Sequence, residues 1–538
     1  MWHFTNSFSE YCDYLGWEMD WREIDNYLRQ DIKVDEGVVH VIPFAELVKP
    51  SRNYAPKHYV FVYNIPMRFI DREQEMGRLV RLVHERKGGF AAIWGRRRIG
   101  KSELLKEWCR RFDGIYTVAD QTLAAVQRSS FALALSGRFS GFADVAYPSW
   151  KALFEALSRR AAAENWHGPL VMDEFPYWVE ADESMPSILQ NWVDGEKGRA
   201  GIVCSIAGSV QHMMQGLVLD SDSPLYGRVD EKIKLLPIDI GYVKEALEIE
   251  TDIDAIKAYS VWGGVPRYWV AAERFGSDID GALDELAFNP LGIFHEEPAS
   301  LLQSEIPNAM SLKPYLDVIG LGANRASEIA GRLGVPATAL SRPLARLIEI
   351  GLIKREIPFC ESEKNTKKSL YRLSDPFCRF WFSVMATRRS VFDSAPESVR
   401  LAIWRQHKQK VFAAAWEDLA RSFVVRSERL RSLVGADGYW VPAGRWWHKA
   451  DAEWDVVSVN GEGSQTLLGE AKWSEKPFTR QEVEFLAERI KMRHSPVGLP
   501  EKRIFVLFLA SVEDARSTGR VCDGVEIVTA EDVVSELS

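Results

Sequence analysis

An eight-residue run near position 100 has the glycine and lysine spacing of a phosphate-binding loop. It fits the pattern GxxxxGK[ST], with a short apolar run before it and a helical pattern after it. Such glycines let backbone amides curl around phosphates, and the N-terminus of the next helix adds positive potential. We predict that Lys101 contacts the β- and γ-phosphates of a nucleotide and that Ser102 is a ligand of Mg²⁺. The predicted nucleotide-binding residues of the loop are Gly95, Arg96, Arg97, Arg98, Ile99, Gly100, Lys101 and Ser102.

Acidic and polar residues follow the next two apolar runs. Asp173 and Glu174 come directly after the run 170–172. In a protein with a phosphate-binding loop, an aspartate at such a strand end is expected to hold Mg²⁺, and a glutamate beside it can activate the attacking water as general base. Ser209 ends the third run and is a candidate for sensing the γ-phosphate. Arg228 is a candidate arginine finger or sensor, and a structural salt bridge is an equally good interpretation of it.

A second group of charged residues lies near the C-terminus. Asp455 belongs to a predicted strand at 453–459, and Glu470 and Lys472 share one face of a predicted strand at 466–473. This is the arrangement of a PD-(D/E)XK nuclease, in which two carboxylates bind Mg²⁺ or Mn²⁺ and a lysine orients the attacking water. Glu417, on a predicted helix at 410–421, could add a metal ligand. Alternatively, Glu470 and Lys472 form a structural ion pair.

The sequence pattern in the middle of the chain predicts a winged helix-turn-helix. Three helices are expected at 314–319, 325–332 and 337–350, followed by two strands at 353–357 and 369–373. From Ser311 to Ala450 there are 24 lysine and arginine residues against 13 aspartate and glutamate residues, in a chain of net charge −9. This basic block indicates either contact with DNA or a solvated basic face. The candidate phosphate contacts, on and after a helix expected near the major groove, are Arg342, Arg346, Lys354, Arg355, Lys367 and Lys368.

The composition is that of a large globular protein. The 538 residues are 46% hydrophobic and 27% charged, which excludes a disordered chain and suggests several domains. Apolar runs stay far below the ~18 residues of a membrane span, and the N-terminus lacks the pattern of a secretory signal. The six cysteines form no CxxC pair, which argues against a structural zinc site. We therefore expect a cytoplasmic protein without a membrane partner, and assembly into a homo-oligomer stays open.

These patterns together predict a multidomain α/β protein. Continuous apolar runs alternating with helices indicate a parallel sheet of the ASCE or AAA+ type. Segment 386–400 is expected to be a connector. The predicted units are an N-terminal segment of unknown role at 1–66, a P-loop core at 67–241, a helical lid at 242–310, a winged helix-turn-helix at 311–385 and a restriction-endonuclease-like α/β domain at 386–538.

Several short motifs occur in an order that resembles the archaeal-type ATPase family, in the STAND branch of AAA+-related P-loop proteins. The resemblance covers roughly 69–375, and it implies ATP as the nucleotide and a helical lid that carries the Gly-Gly-x-Pro motif. The C-terminal part is similar to a nuclease-like domain often fused to such ATPases. The motifs are Phe69-Ile70-Asp71-Arg72-Glu73, the phosphate-binding loop, Met172-Asp173-Glu174-Phe175, Pro224-Leu225-Tyr226-Gly227-Arg228 and Gly263-Gly264-Val265-Pro266-Arg267-Tyr268.

The sequence is compatible with three functions. The leading hypothesis is an ATP-dependent or ATP-gated DNA nuclease, with defence against foreign DNA as a role suggested by analogy. The second is a signalling or scaffold ATPase whose winged helix packs internally and whose nuclease-like domain is inactive. The third is a DNA-binding regulator.

Overall fold

The computed structural model describes most of the chain after residue 68. The described residues are 69–85, 88–195, 201–305, 309–362, 364, 368–435, 437–448, 453–513, 521–522 and 524–538. The predicted N-terminal segment 1–66 and the candidate DNA contact Lys367 lie outside them. Within the described part, no helix is long and apolar enough to cross a membrane.

A five-stranded parallel sheet forms the centre of the first half of the described chain, in the order β2-β3-β4-β1-β5. Its three central strands are the three apolar runs of the sequence, and their side chains are almost all buried because helices cover both faces. The prediction of a parallel α/β sheet is therefore confirmed. The strands are β1 Gly89–Trp94, β2 Ile115–Val118, β3 Leu170–Asp173, β4 Val203–Gly208 and β5 Glu231–Lys234.

Helices accompany this sheet and continue beyond it. Those from the start of the described chain to β5 are α1 Glu73–His84, α2 Lys101–Arg111, α3 Ala124–Ser136, α4 Trp150–Ala163, α5 Phe175–Ala181, α6 Met185–Asp194 and α7 Gln211–Leu219. The region predicted as a lid is helical, with α8 Val243–Ala246, α9 Asp252–Trp262, α10 Pro266–Ala272, α11 Ile279–Leu283 and α12 Glu297–Glu305.

Three short helices and a hairpin follow, close to the positions expected from the sequence. The third helix, α15, buries Leu344 and Leu347 on one face and leaves Arg342 exposed on another. The two strands pair antiparallel. These elements are α13 Lys313–Gly320, α14 Ala326–Leu333, α15 Ser341–Glu349, β6 Ile353–Glu356 and β7 Leu370–Leu373.

A long helix corrects one sequence-based expectation. The predicted connector at 386–400 is wrong, because this stretch contains helix α17 (Arg389–Ser394) and the start of helix α18, which spans Glu397–Arg426. The helix is preceded by α16 (Pro376–Val384). Its buried side chains, among them Trp404 and Trp416, keep helical spacing along the whole length. The polar residues between these two tryptophans hide the helical periodicity of the buried positions in the sequence.

The described C-terminal part contains a mixed six-stranded sheet in the order β12-β13-β11-β10-β9-β8. Strand β10 pairs antiparallel with β9 and parallel with β11, so it lies at the centre. The remaining elements are α19 Glu428–Ser432, β8 Gly444–Trp446, β9 Trp454–Val459, β10 Gln465–Lys472, α20 Arg480–Met492, β11 Lys502–Leu509, β12 Val521–Cys522, β13 Val525–Val528 and α21 Ala530–Glu536.

Candidate nucleotide site and C-terminal acidic site

The loop between β1 and α2 has the backbone of a phosphate cradle. Gly100, just before the helix, has a φ of 92°, a left-handed conformation that favours glycine. Arg72 holds the loop from outside, since it donates hydrogen bonds to the carbonyls of Ile99 at 3.0 Å and Leu236 at 2.8 Å. The loop is thus fixed in place at the N-terminus of α2, where free amides favour an anion.

Lys101 is folded over this loop. Its side chain donates hydrogen bonds to the carbonyls of Gly95 at 2.8 Å and Arg96 at 3.0 Å, and the residue is only 4% exposed. A buried ammonium held by two carbonyls is available to a phosphate that enters the cradle, because phosphate oxygens are stronger acceptors than neutral carbonyls.

Ser102 and Asp173 meet, as the sequence-based assignment requires. The Ser102 hydroxyl donates to Asp173 Oδ2 at 2.7 Å, and Asp173 is 1% exposed. Tyr116, at β2, donates its hydroxyl to the same oxygen at 2.6 Å, and the sequence pattern gave no sign of it. Burial and the neighbouring Asp173 raise the pKa of Tyr116, so its hydroxyl stays a donor. A hydroxyl and a carboxylate in contact are the ligand pair that could hold Mg²⁺.

Glu174 and Ser209 also come together. The Ser209 hydroxyl donates to Glu174 Oε1 at 2.6 Å, and its backbone amide donates to Oε2 at 3.2 Å. Because β3 and β4 are adjacent and parallel, the residues at their carboxyl ends lie side by side. The same neighbourhood contains Asp173, so the acid proposed as general base is next to the acid proposed for Mg²⁺.

The arginines within the loop are bound to distant parts of the chain. Arg97 donates to the Tyr177 hydroxyl at 3.1 Å, on helix α5. Arg98 forms an ion pair with Glu297, a 1% exposed residue at the start of helix α12. These pairs connect the loop to the helices around it, and neither partner belongs to a recognisable motif.

Arg228 makes a local contact in the structure. Its guanidinium pairs with Asp194 at 2.7 Å, at the end of helix α6, and donates to the Tyr226 carbonyl at 3.2 Å. This is the salt bridge that the sequence allowed as an alternative. A role for Arg228 at the nucleotide stays a prediction.

The predicted C-terminal residues lie on two neighbouring strands. Asp455 is on β9, and its Oδ2 accepts a hydrogen bond from the backbone amide of Ala471 on β10 at 3.1 Å. Lys472 and Glu470, two residues apart on β10, form an ion pair at 2.5 Å. We call Asp455, Glu470 and Lys472 the C-terminal acidic site.

Arg493 is a fourth member of this neighbourhood that the sequence did not reveal. It lies just beyond helix α20, forms an ion pair with Glu470 Oε2, and places its guanidinium 5.0 Å from the centre of the Trp454 ring. Although burial opposes ionisation, the hydrogen bonds from Arg493 and Lys472 lower the pKa of Glu470. Both carboxylate oxygens of Glu470 therefore already face a cation.

The pKa of Asp455 is shifted in the opposite direction. Burial, followed by the nearby charges of Glu470 and Glu417, raises the pKa of Asp455 from its ordinary value of 3.8 to about 6. Glu417 itself lies 4.0 Å from Arg372 and 3.9 Å from Arg421. Among the described residues, no group of three or more histidine, cysteine, aspartate or glutamate side chains could hold a metal ion. Asp455, Glu470 and Glu417 as metal ligands therefore stay predictions.

The raised pKa of Asp455 has a measurable consequence for stability. The folded state holds this proton more tightly than the unfolded state, so the contribution of Asp455 to stability is fully present below pH about 4 and is lost as the pH rises through about 6. A shift of about 2 units corresponds to roughly 3 kcal/mol. We expect Asp455→Asn to unfold at higher urea than the wild type at about pH 8, with the difference shrinking towards about pH 4. Equal pH profiles for both proteins would contradict the assignment.

The candidate DNA contacts are mostly engaged within the chain. Lys354 pairs with Asp418 at 3.0 Å and with Glu356 at 3.0 Å. Arg346 pairs with Glu349, Arg355 donates to the Ser369 hydroxyl, and Lys368 pairs with Glu361. Of the candidates that the structure describes, Arg342 is exposed and the others are half-buried.

The fold and the first site together define a P-loop ATPase domain. Residues 69–271 match a family model described as an ATPase domain predominantly from Archaea, which confirms the resemblance over this part of the chain. Residues 381–486 match a second model, described as archaeal and bacterial proteins of unknown function.

Other proteins are similar to this chain over most of their own length. The uncharacterized protein MJECL04 of Methanocaldococcus jannaschii is 25% identical over 456 residues, which is 84% of this chain and 97% of that protein. Among solved structures, the Walker-type ATPase PABY2304 of Pyrococcus abyssi is 21% identical with a TM-score of 0.45, covering 58% of this chain and 96% of its own. The ORC2 protein of Aeropyrum pernix is 14% identical with a TM-score of 0.40, covering 66% and 97%.

Proposed function

We propose that this protein binds and hydrolyses ATP with Mg²⁺ at the loop Gly95–Ser102. The observation that carries the proposal is the contact between the Ser102 hydroxyl and Asp173, since these two groups would share the metal. Lys101 would release its two carbonyls and bind the phosphates. Glu174 would turn from Ser209 to the attacking water, and Ser209 would be freed to contact the γ-phosphate.

The experiment is a phosphate-release assay with ATP and GTP, each with Mg²⁺ and with EDTA. We expect release from ATP that depends on Mg²⁺. Absence of hydrolysis together with absence of binding to a non-hydrolysable ATP analogue would contradict the proposal.

We further propose that the C-terminal domain is a PD-(D/E)XK nuclease-like domain that cleaves DNA with Mg²⁺ or Mn²⁺ under the control of ATP. Two observations support this function: Glu470 and Lys472 form an ion pair, and the charges of both act on the pKa of Asp455. Asp455 and Glu470 would hold the metal, and Lys472 would orient the attacking water. Metal binding requires both carboxylates to be ionised and Glu470 to loosen its contact with Arg493.

The unit of three helices and a hairpin supports two alternatives. As a winged helix-turn-helix, it would bind duplex DNA through the exposed side of α15. As an internal interaction module, it would connect the ATPase core to helix α18 in a signalling or scaffold ATPase. The pairing of Lys354 with Asp418 favours the second alternative, because this cation is already neutralised within the chain.

DNA binding can be tested through its salt dependence. We expect duplex affinity to fall as salt rises between about 50 and 200 mM, because each neutralised phosphate releases counterions. Arg342→Glu should weaken binding and reduce the slope of log affinity against log salt by about 1. Lys151→Glu is the matched control, since Lys151 is an exposed cation on helix α4 of the ATPase core. Equal losses in both variants, or an affinity that salt leaves unchanged, would favour the interaction module.

A further inference from the structure

The first arginine of the phosphate-binding loop is bound to the region that follows the hairpin. Arg96 pairs with Asp375 at 2.5 Å, and both side chains are largely buried. The other carboxylate oxygen of Asp375 accepts the backbone amide of Cys378 at 2.7 Å and so caps helix α16. Any shift of Arg96 therefore acts directly on the N-terminus of that helix.

Helix α16 continues the connection to the C-terminal domain. Arg379 lies one turn after Asp375, and its backbone amide donates to the Asp375 carbonyl at 2.9 Å, so the two residues move together. The Arg379 guanidinium pairs with Asp418 at 2.6 Å, on the long helix α18. Although burial opposes ionisation, four neighbouring cations, Arg379 foremost, hold the pKa of Asp418 well below its ordinary value.

The last step reaches the C-terminal acidic site. Asp418 pairs with Arg421 at 2.5 Å, and Arg421 donates a hydrogen bond to the backbone carbonyl of Asp455 at 2.9 Å. Arg421 is 9% exposed, and the Asp418 side chain is 23% exposed. An unbroken series of partly buried polar contacts thus runs from the phosphate-binding loop to the strand that carries Asp455.

A cavity of about 360 Å³ lies along this series of contacts. Arg96, Asp375, Arg379 and Asp418 all line it, together with Gln211 two residues beyond Ser209. The side chains therefore face open space on one side rather than a close-packed interior. This leaves room for them to change partners without displacing core residues.

We propose that Asp375, Arg379, Asp418 and Arg421 are positioning residues that couple the nucleotide state of the loop to the position of Asp455. The inference rests on the proposed nucleotide binding. When Lys101 leaves the carbonyls of Gly95 and Arg96 for the phosphates, the backbone at Arg96 loses a hydrogen bond and can shift. Its pair with Asp375 then changes, and helix α16 transmits the change through Asp418 to Arg421.

Coupling between two sites is reciprocal, which gives a test at the nucleotide. A fluorescent ATP analogue with Mg²⁺ is titrated into the full chain, and its Kd is compared between variants. We expect Asp418→Asn to change the Kd about fivefold or more, although Asp418 lies in the C-terminal half of the chain. Glu397→Gln, at an exposed acid on the same helix, should stay within about twofold. Combining Asp375→Asn with Asp418→Asn should change the Kd less than the two single effects together.

The double variant Arg379→Gln with Asp418→Asn covers the case in which Asp418→Asn alone does not fold. Arg379 is then neutral as well, while Lys354 and Arg421 keep Glu356 and Glu417 as partners. An unchanged Kd in a folded variant would overturn the coupling.

Hydrogen exchange tests the coupling in the wild type, without any substitution. Adding the analogue should alter amide exchange in β9 as well as in the loop. Protection of the loop with no change in β9 would overturn the coupling alone, and protection of neither would overturn the proposed nucleotide site as well.

Discussion

Replacing Glu174 with glutamine should reduce ATP hydrolysis by about 10²–10⁴-fold while ATP stays bound. Glutamine keeps the size of the side chain and can still accept the Ser209 hydroxyl, which lies 2.6 Å from the carboxylate. It cannot take a proton from the attacking water. Steady-state phosphate release and titration with the fluorescent analogue separate the two effects. Glu180→Gln, at an exposed acid on the following helix α5, is the matched control.

Lys101→Ala should instead lose nucleotide binding. A charge-assisted hydrogen bond contributes about 1.5–3 kcal/mol, which is roughly 10- to 150-fold in Kd. Hydrolysis at the wild-type rate in Lys101→Ala would contradict the assignment of the loop. Loss of binding in Glu174→Gln would mean that this acid holds the fold of the site rather than activating water.

Metal-dependent cleavage of plasmid DNA should disappear in Asp455→Ala while ATP hydrolysis continues. The two activities rely on different residues, so the loss should be confined to one of them. Glu470→Ala and Lys472→Ala should behave alike, and adding either to Asp455→Ala should change little, because groups that act as a unit are not additive. Mn²⁺ should also raise the melting temperature more at about pH 8 than at about pH 5, since a metal ligand must be deprotonated and the pKa of Asp455 is about 6.

Thermal melts separate this function from the structural ion pair that the sequence left open. The Lys472 side chain is 44% exposed, and Arg493 would remain to pair with Glu470. Lys472→Ala should therefore cost about 1 kcal/mol or less, as for an exposed pair. Arg493→Ala removes a largely buried partner and should cost more. A large loss of stability in Lys472→Ala, without cleavage in the wild type under any metal or nucleotide, would favour the signalling ATPase.

Residues with local signatures were the ones the sequence could identify. The loop before α2 has fixed spacing because backbone amides must surround phosphates, and acids after β3 are expected because parallel strands end at one edge. Ser102, Asp173, Glu174 and Ser209 accordingly come together. Asp455 and Glu470 could be paired because side chains alternate along a strand, which fixes the shared face once two strands are adjacent.

The partners of these residues could not be predicted in the same way. Arg493 meets Glu470 only because helix α20 ends beside β9, and Asp375 meets Arg96 across 279 positions of sequence. Tyr116 reaches Asp173 because β2 and β3 are neighbours, an order that no single strand encodes. Such contacts depend on the packing of whole elements.

Charge by itself was a poor guide to the surface. The basic block at Ser311–Ala450 suggested phosphate contacts, yet Lys354 and Arg379 pair with Asp418 inside the fold. Counting charges along the chain does not distinguish a solvated cation from one that pairs with an acid on a distant element of the fold. Among the candidate DNA contacts that the structure describes, Arg342 is the exposed one.

The measurement that tests the central claim most directly is plasmid cleavage in Mn²⁺ by the wild type and by Lys101→Ala, each with and without ATP. The claim is that ATP at the loop controls the C-terminal acidic site. ATP should change the cleavage rate of the wild type and leave that of Lys101→Ala unchanged. Cleavage that ATP does not affect in a wild type that hydrolyses ATP would contradict the claim, as would the absence of cleavage under both conditions.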